Sequence, residues 1–224
     1  MKHILFIITS TNKTGTGLHD AGYEFSEIAD PHFEFTNEGY TVDFASILGG
    51  EPPFVGYDSA QEKSKNFKEG NGFKRLNFSH KLDNVNISAY DAIFFPGGLG
   101  LMTDMVDNPL VKKIIKNAYE SGKVIGAVCH GPSALLNVTL SDGSYLLEGK
   151  RINSFTKAEE EIDRHTLGGV IPFILDEELI KQGAIFSHTK PFKPYVVIDR
   201  NIVTGQNPAS ASNVALKMID LLLE

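Results

Sequence analysis

The single cysteine of the chain, Cys129, stands where an apolar run ends and a helix-like segment begins. The run from Lys123 to Cys129 is typical of a buried strand, and residues 133–136 resume an apolar pattern just after it. Ala127 and Gly131 supply the small side chains that a tight turn from strand to nucleophile to helix requires. Such a turn places the thiol beside a helix N-terminus, which favours the thiolate. The pattern therefore predicts a nucleophilic cysteine, although a lone cysteine is more often a buried structural residue.

A pair of glycines ends a second apolar strand. Gly97 and Gly98 follow the run from Ala92 to Phe95 after one proline. Glycine lets the backbone turn so that an N–H group points into a site. The N–H groups of Gly98 and His130 would then form an oxyanion hole, with Gly97 as a further substrate-binding residue. A plain flexible loop would contain the same glycines, so this motif alone does not separate the two interpretations.

The elements that position these motifs alternate between strands and helices. Runs typical of strands cover 4–8, 41–46, 92–95 and 123–129, and a hairpin is predicted from 195–198 and 202–204. Helical patterns cover 22–38 (interrupted by Pro31), a stretch from Pro109 to Ser121-Gly122, 175–182, and a last helix capped by Asn207-Pro208. This alternation predicts one α/β domain, residues 1–224, with a mostly parallel sheet covered by helices on both faces. Residues 50–90 break the alternation and are interpreted as a lid-like insertion.

Composition and charge narrow the possible functions. The net charge is −7 and the pI is about 5.5, whereas a nucleic-acid-binding protein needs a basic face. No apolar run is long enough to cross a bilayer, and the first one is too short for a signal peptide, so a cytoplasmic protein is expected. One cysteine excludes an internal disulfide and a cysteine-based metal site. A histidine-based metal site is not expected either, because none of the other histidines considered is four residues from another along the chain. These are His3, His19, His32, His80 and His165.

Three ordered motifs together resemble the ThiJ/PfpI superfamily: residues 127–132 (AVCHGP), 95–98 (FPGG) and 203–210 (VTGQNPAS). That superfamily has a fold related to class I glutamine amidotransferases, so the resemblance implies a flavodoxin-like three-layer sandwich. The Cys-His-Gly-Pro motif, the insertion and the Asn-Pro-Ala-Ser ending resemble its heat-shock chaperone and glyoxalase III branch. Members of that branch are reported to convert methylglyoxal to lactate without glutathione, and some are described as chaperones or protein deglycases. Homodimers are common in the superfamily, which implies a homodimer here.

The resemblance also implies roles for particular residues. The nucleophile of the family falls on Cys129, and its adjacent histidine falls on His130. The family has a glutamate on the helix after the first strand, whose carboxyl group meets the thiolate. The pattern over residues 22–31 places this glutamate at Glu27, with Glu24 as a lesser candidate.

The third member of the catalytic triad in this branch is an acid shortly after a Phe-Thr pair, here Phe155 and Thr156. The spacing favours Glu160, with Glu159 close behind. Without the resemblance, the acidic run 159–161 would be interpreted as a solvated helix start, where the helix dipole favours acids.

These residues together predict a cysteine enzyme, with no metal or organic cofactor, that converts methylglyoxal-type 2-oxoaldehydes to 2-hydroxy acids. Gly131-Pro132 stand where class I glutaminases have Gly-x-Gln, so glutamine hydrolysis is not expected. Two alternatives stay open. One is an amidase or peptidase that uses the same Cys129–His130 pair, and the other is a chaperone or redox-sensing stress protein with an oxidisable thiol. The expected partner is a small aldehyde, with no nucleic acid and no membrane.

Overall fold

The structure is a computed structural model that describes residues 1–14, 17 and 19–224. Its strands are β1 (His3–Ile8), β2 (Lys13–Thr14), β3 (His19–Asp20), β4 (Tyr23–Glu24), β5 (Thr41–Ser46), β6 (Phe54–Val55), β7 (His80–Lys81), β8 (Ala92–Phe95), β9 (Val124–Val128), β10 (Arg151–Ile152), β11 (Ile185–Phe186), β12 (Val196–Asp199) and β13 (Ile202–Gly205). Its α-helices are α1 (Ser26–Asn37), α2 (Glu62–Glu69), α3 (Asn71–Leu76), α4 (Leu101–Asp104), α5 (Pro109–Glu120), α6 (Lys157–Ile162), α7 (Leu175–Lys181) and α8 (Ala211–Leu223).

The central sheet confirms the predicted α/β architecture. Its strands lie in the order β12-β13-β9-β8-β1-β5-β7. Every neighbouring pair is parallel except β12 and β13, which form the predicted antiparallel hairpin. Because parallel strands end at the same edge of a sheet, the segments that follow β1, β8, β9 and β13 meet there.

Both faces of the sheet are covered, and this explains why the central strands are apolar throughout. Alternate residues of a strand point to opposite faces. In β1, Leu5 and Ile7 pack on the side that α5 covers, whereas Ile4, Phe6 and Ile8 pack on the side that α1 and α8 cover. All five side chains are fully buried. A strand buried on both faces reads as a continuous apolar run, as in the sequence.

The helix predicted over residues 22–38 is shorter than expected at its start. Residues before Ser26 include β4, which pairs with β6, so α1 begins at Ser26. Pro31 does not interrupt α1, although a proline removes one backbone hydrogen bond. Ile28 and Phe35, on either side of it, are fully buried, and this packing holds the helix together across the proline.

The predicted cap of the last helix is wrong. Asn207 makes no side-chain capping bond, and a 3-10 turn over Pro208–Ser210 separates it from α8. No helix in the described part of the chain is both long and apolar enough to cross a membrane, and α8 has only 13 residues.

The insertion at residues 50–90 packs beside the sheet instead of forming a separate lid. Its last strand, β7, pairs with β5 at the sheet edge, and α2 and α3 pack against each other and against α1 and β5. Phe67 and Phe73 pack against Phe25, and Lys68 Nζ lies 3.7 Å from the centre of the Phe73 ring. Within the insertion, only Val55 lines the candidate pocket described below. Val55 is therefore the part of the insertion that the structure places at the candidate site.

Candidate active site

Cys129 occupies a sharp turn directly after β9. Its backbone φ is 59°, a left-handed conformation that is unfavourable for a residue with a Cβ atom. Two backbone hydrogen bonds hold this conformation: the Cys129 N–H donates to the Gly205 carbonyl, and the Phe155 N–H donates to the Cys129 carbonyl, both over 2.9 Å. A side chain at Gly131 would overlap the carbonyl oxygen of Phe95, so a glycine is required there. The turn thus fixes the thiol at the carboxyl edge of the sheet.

His130 links the thiol to a buried carboxylate. The Sγ atom of Cys129 lies 3.3 Å from Nδ1 of His130, and Nε2 of His130 lies 2.8 Å from Oε1 of Glu160. Burial alone would raise the pKa of Glu160, but the charge and hydrogen bond of His130 lower it to about 2, with help from His165. Glu160 is therefore ionised and can orient His130 and stabilise its imidazolium form.

A second carboxyl group, that of Glu27, adjoins the thiol. Glu27 lies in the first turn of α1 and is fully buried. Its Oε2 atom accepts a hydrogen bond from the Gly97 N–H, and its Oε1 atom has no hydrogen-bond partner among the described residues apart from the neighbouring thiol. A Cβ atom at Gly97 would lie 2.7 Å from Cβ of Cys129, so the backbone at Gly97 brings the carboxyl and the thiol together. Because its N–H is occupied by Glu27, Gly97 has no free backbone N–H group to offer to a substrate or an oxyanion.

The ionisation of the Cys129 thiol is coupled to that of the Glu27 carboxyl group. Burial raises the pKa of Glu27 well above its usual range, and the charge of Glu24 raises it further. Burial also raises the pKa of the Cys129 thiol, and Glu27 adds to this effect. Since each negative charge disfavours the other, the pair holds at most one. The prediction that the helix dipole makes Cys129 a thiolate is therefore wrong for the resting site. The helix that follows, Gly131–Leu135, is a five-residue 3-10 helix, and its dipole is too small to offset the effect of burial on the pKa of the thiol.

Gly98 and His130 line the pocket beside the thiol, and each has a backbone N–H group. Neither the Gly98 nor the His130 N–H donates a hydrogen bond within the described part of the chain. Gly98 has a φ of 105°, and a Cβ atom there would lie 2.7 Å from the backbone of Tyr23, so this position requires glycine. Both residues line the same pocket as Cys129 and can donate to an oxyanion formed there.

The pocket above Cys129 has a volume of about 230 Å³. Besides Cys129 and His130, its lining residues are Glu24, Val55, Gly98, Leu99, Phe155, Asp163, His165 and Pro208. Burial raises the pKa of Glu24 to about 7, even though hydrogen bonds from Ser26 oppose the shift. Glu24, the lesser candidate in the sequence, is therefore a pocket residue that exchanges protons near neutral pH. Asp163 also lines the pocket, and no sequence motif indicated it as a site residue.

His165 is a further site residue that the sequence reasoning missed. Its Nδ1 atom lies 2.7 Å from Oε2 of Glu160, so the carboxylate joins two imidazoles. One side-chain nitrogen or oxygen atom from each of His130, Glu160 and His165 lies within 4.8 Å of the corresponding atoms of the other two. His130 and His165 are far apart in the sequence, so a spacing of four residues on one helix does not reveal this group; the fold brings its members together. Hydrogen bonds to the two imidazoles already satisfy both oxygens of Glu160.

Comparison with known proteins assigns the chain to a family. The model of the DJ-1/PfpI family matches residues 18–221. The chain belongs to the DJ-1/PfpI family. This confirms the superfamily that the three sequence motifs indicate, and with it the flavodoxin-like fold.

Several characterised proteins resemble this DJ-1/PfpI chain along nearly its whole length. The glutathione-independent glyoxalase HSP31 of Saccharomyces cerevisiae is 30% identical over 251 residues, which cover 99% of this chain and 98% of that protein. The structure of glyoxalase III from Candida albicans matches with a TM-score of 0.87 at 27% identity, over 98% and 97% of the two chains. The 24 kDa Rapid Encystment Protein of Francisella tularensis matches with a TM-score of 0.93 at 34% identity, over 100% of both chains. These likenesses support an enzyme of the DJ-1/PfpI type.

Glu159, the other candidate for the triad acid in this family member, has a different set of contacts. Its Oε2 atom accepts from the Thr156 hydroxyl over 2.8 Å and closes the capping box of α6. Its Oε1 atom accepts from the Phe192 N–H over 2.7 Å and from the side-chain amides of Gln206 and Asn207. Glu159 thus fastens α6 to the segments that flank β12 and β13.

Replacing Glu159 with glutamine is expected to lower the free energy of unfolding by about 2–3 kcal/mol, because an amide donor would then face several N–H donors in a buried site. Glu161 is an exposed acid on the same helix, and its replacement by glutamine should change stability by less than about 0.5 kcal/mol. Denaturant unfolding of the two variants measures this difference. Equal stabilities would contradict the structural role of Glu159.

Proposed function

We propose that this protein is a glutathione-independent glyoxalase that converts 2-oxoaldehydes such as methylglyoxal into 2-hydroxy acids. The observation that carries the proposal is the second carboxyl group at the nucleophile, since Glu27 adjoins the Cys129 thiol in addition to His130. An acyl hydrolase works with one base and one acid that orients it. Isomerisation of a hemithioacetal needs a further group that moves a carbon-bound proton. The relatives named as glyoxalases in Saccharomyces cerevisiae and Candida albicans support the same reaction.

In the first step the thiol of Cys129 adds to the aldehyde carbon of the substrate. The sulfur–carbon bond forms as the thiol proton passes to Nδ1 of His130, which lies 3.3 Å away. The N–H groups of Gly98 and His130 donate to the oxyanion until it takes the proton back from the imidazolium. Glu160 stabilises that imidazolium while it exists. The product of this step is a neutral hemithioacetal bound to the protein.

In the second step Glu27 moves a proton between the two carbon atoms of the substrate. The reactive form of the protein is the one in which the pair of Cys129 and Glu27 carries one negative charge. Once sulfur has bonded to carbon, that charge can reside only on Glu27, which makes its carboxylate the base. It takes the hydrogen of the hemithioacetal carbon as a proton, and the electron pair forms an enediolate with the neighbouring carbonyl group. The proton is then returned to the neighbouring carbon, while the hydroxyl proton on the first carbon passes to the oxygen of the second. This yields a thioester of the 2-hydroxy acid with no net oxidation. Water then attacks the thioester, the carbon–sulfur bond breaks, and the thiol is restored.

Incubation of the purified protein with methylglyoxal, in the absence of glutathione, tests the proposal. Lactate is expected to form in step with the loss of methylglyoxal, at a rate proportional to protein concentration. Absence of lactate, combined with cleavage of chromogenic amide substrates, would instead assign the same residues to a hydrolase.

A further inference from the structure

Glu160 holds two imidazoles, of which the proposed mechanism uses one. Nε2 of His130 lies 2.8 Å from one carboxylate oxygen and Nδ1 of His165 lies 2.7 Å from the other, with the two rings centred 6.3 Å apart. A quarter of the His165 side chain is exposed, whereas that of Glu160 is completely buried. His165 also lines the pocket. It is therefore the accessible end of a chain of hydrogen bonds that leads to Cys129.

We infer that His165 is a positioning residue that acts through Glu160: its protonation controls how readily His130 accepts the proton of the Cys129 thiol. The catalytic meaning of this inference rests on the proposed function. The coupling between the protonation of His165 and the reactivity of the Cys129 thiol does not depend on whether the substrate is an aldehyde.

The coupling arises because one carboxylate charge is divided between two partners. Transfer of the thiol proton to His130 creates an imidazolium that Glu160 stabilises. A protonated His165 already neutralises the same carboxylate, and its charge also repels a second imidazolium centred 6.3 Å away. A neutral His165 leaves the full charge of Glu160 to His130. Deprotonation of His165 therefore favours the thiolate–imidazolium pair of Cys129 and His130.

His165 is placed to titrate within an accessible pH range. Its hydrogen bond to Glu160 raises its pKa, partial burial opposes this, and the charges of Glu160 and Asp163 raise the pKa further. His165 therefore keeps its proton to a higher pH than an ordinary histidine does. The titratable and charged groups around it are Glu160, Asp163 and Arg164 on its own segment, and Glu24, Cys129 and His130 on the other elements that line the pocket.

Alkylation by iodoacetamide tests the inference, because the chain has one cysteine and every alkylated molecule reports on Cys129. His165→Gln keeps a hydrogen-bond donor but removes the titratable charge. At pH 6 this variant should be alkylated about tenfold faster than the wild type, which corresponds to one pKa unit of coupling. The two rates should converge at the alkaline end of the profile, once the pH is high enough to deprotonate His165 in the wild type. His80→Gln, at an exposed histidine on the edge strand β7, should follow the wild-type profile.

A second variant keeps the test decisive if His165→Gln folds poorly. Asp163→Asn removes a charge that raises the pKa of His165, so its alkylation rate at pH 6 should lie between those of the wild type and His165→Gln. A profile for both variants that coincides with the wild type would overturn the inference. So would a rate lowered by the same factor at every pH, which indicates a structural role alone. Because no aldehyde is present, a shifted profile in a protein that makes no lactate would refute the proposed function and leave the coupling established.

Discussion

Replacing Cys129 with alanine is expected to abolish the formation of lactate from methylglyoxal, with a rate at least about a thousandfold below that of the wild type. In the proposed mechanism the thiol makes the bond to the aldehyde carbon, and the chain has no other cysteine to replace it. The proton transfer by His130 accompanies the formation of this bond, and the transfer by Glu27 acts on the hemithioacetal that the bond creates. Measurement of lactate at several protein concentrations, in the absence of glutathione, gives the two rates.

Cys129→Ser is the matched control for side-chain size. A serine hydroxyl has nearly the shape of the thiol but is a far weaker nucleophile at neutral pH, so this variant should also be inactive. Both variants should stay folded, with unfolding free energies within about 1 kcal/mol of the wild type, since the change in volume is small. An alanine variant that produces lactate at the wild-type rate would show that the reaction takes place elsewhere.

The position of the proposed nucleophile could be inferred from the sequence because it depends on local chemistry. An apolar run long enough for one buried strand, with small residues at Ala127 and Gly131, specifies a sharp turn at Cys129. The bounds of β5 and β8 agree with the predicted runs for a similar reason: β8 is apolar throughout, and β5 places apolar side chains at Val42, Phe44 and Ala45. Features of this kind require no knowledge of distant contacts.

The ionisation of the site could not be inferred in the same way. The sequence predicts that a helix after Cys129 favours the thiolate, but the length and type of that helix depend on how residues 131–135 pack against α4, α5, β8 and β9. The effect of Glu27 also depends on the backbone at Gly97, which brings α1 and β9 to the same point. Charge balance in a buried site is set by tertiary distances, and no pattern along the chain encodes them.

The different contacts of Glu159 and Glu160 show that a shift of one residue along the helix changes which carboxyl group reaches the site. Successive residues of an α-helix point about 100° apart, so one residue of register decides which acid faces His130. The structure directs Glu160 to His130 and Glu159 to the Phe192 N–H. The same turn of the chain then brings His165 to the second oxygen of Glu160.

Replacing Glu27 with glutamine is expected to slow lactate formation by about a hundredfold, because an amide cannot carry a proton between the substrate carbons. The amide oxygen still accepts from the Gly97 N–H, so the geometry of the turn is retained. The reactivity of the thiol should change in the opposite direction. Since Glu27 raises the pKa of Cys129, its removal should lower that pKa and make alkylation by iodoacetamide faster at neutral pH.

The opposite signs of these two effects separate a chemical role for Glu27 from a structural one. A collapsed pocket would slow lactate formation and alkylation together, whereas a missing proton carrier slows lactate formation alone. Loss of the carrier also makes proton transfer the slowest step, so methylglyoxal with deuterium at the aldehyde carbon should show a larger isotope effect in the variant than in the wild type. Glu38→Gln, at an exposed glutamate directly after α1, should leave both rates unchanged. A Glu27→Gln variant with full glyoxalase activity would remove the observation on which the proposed function depends.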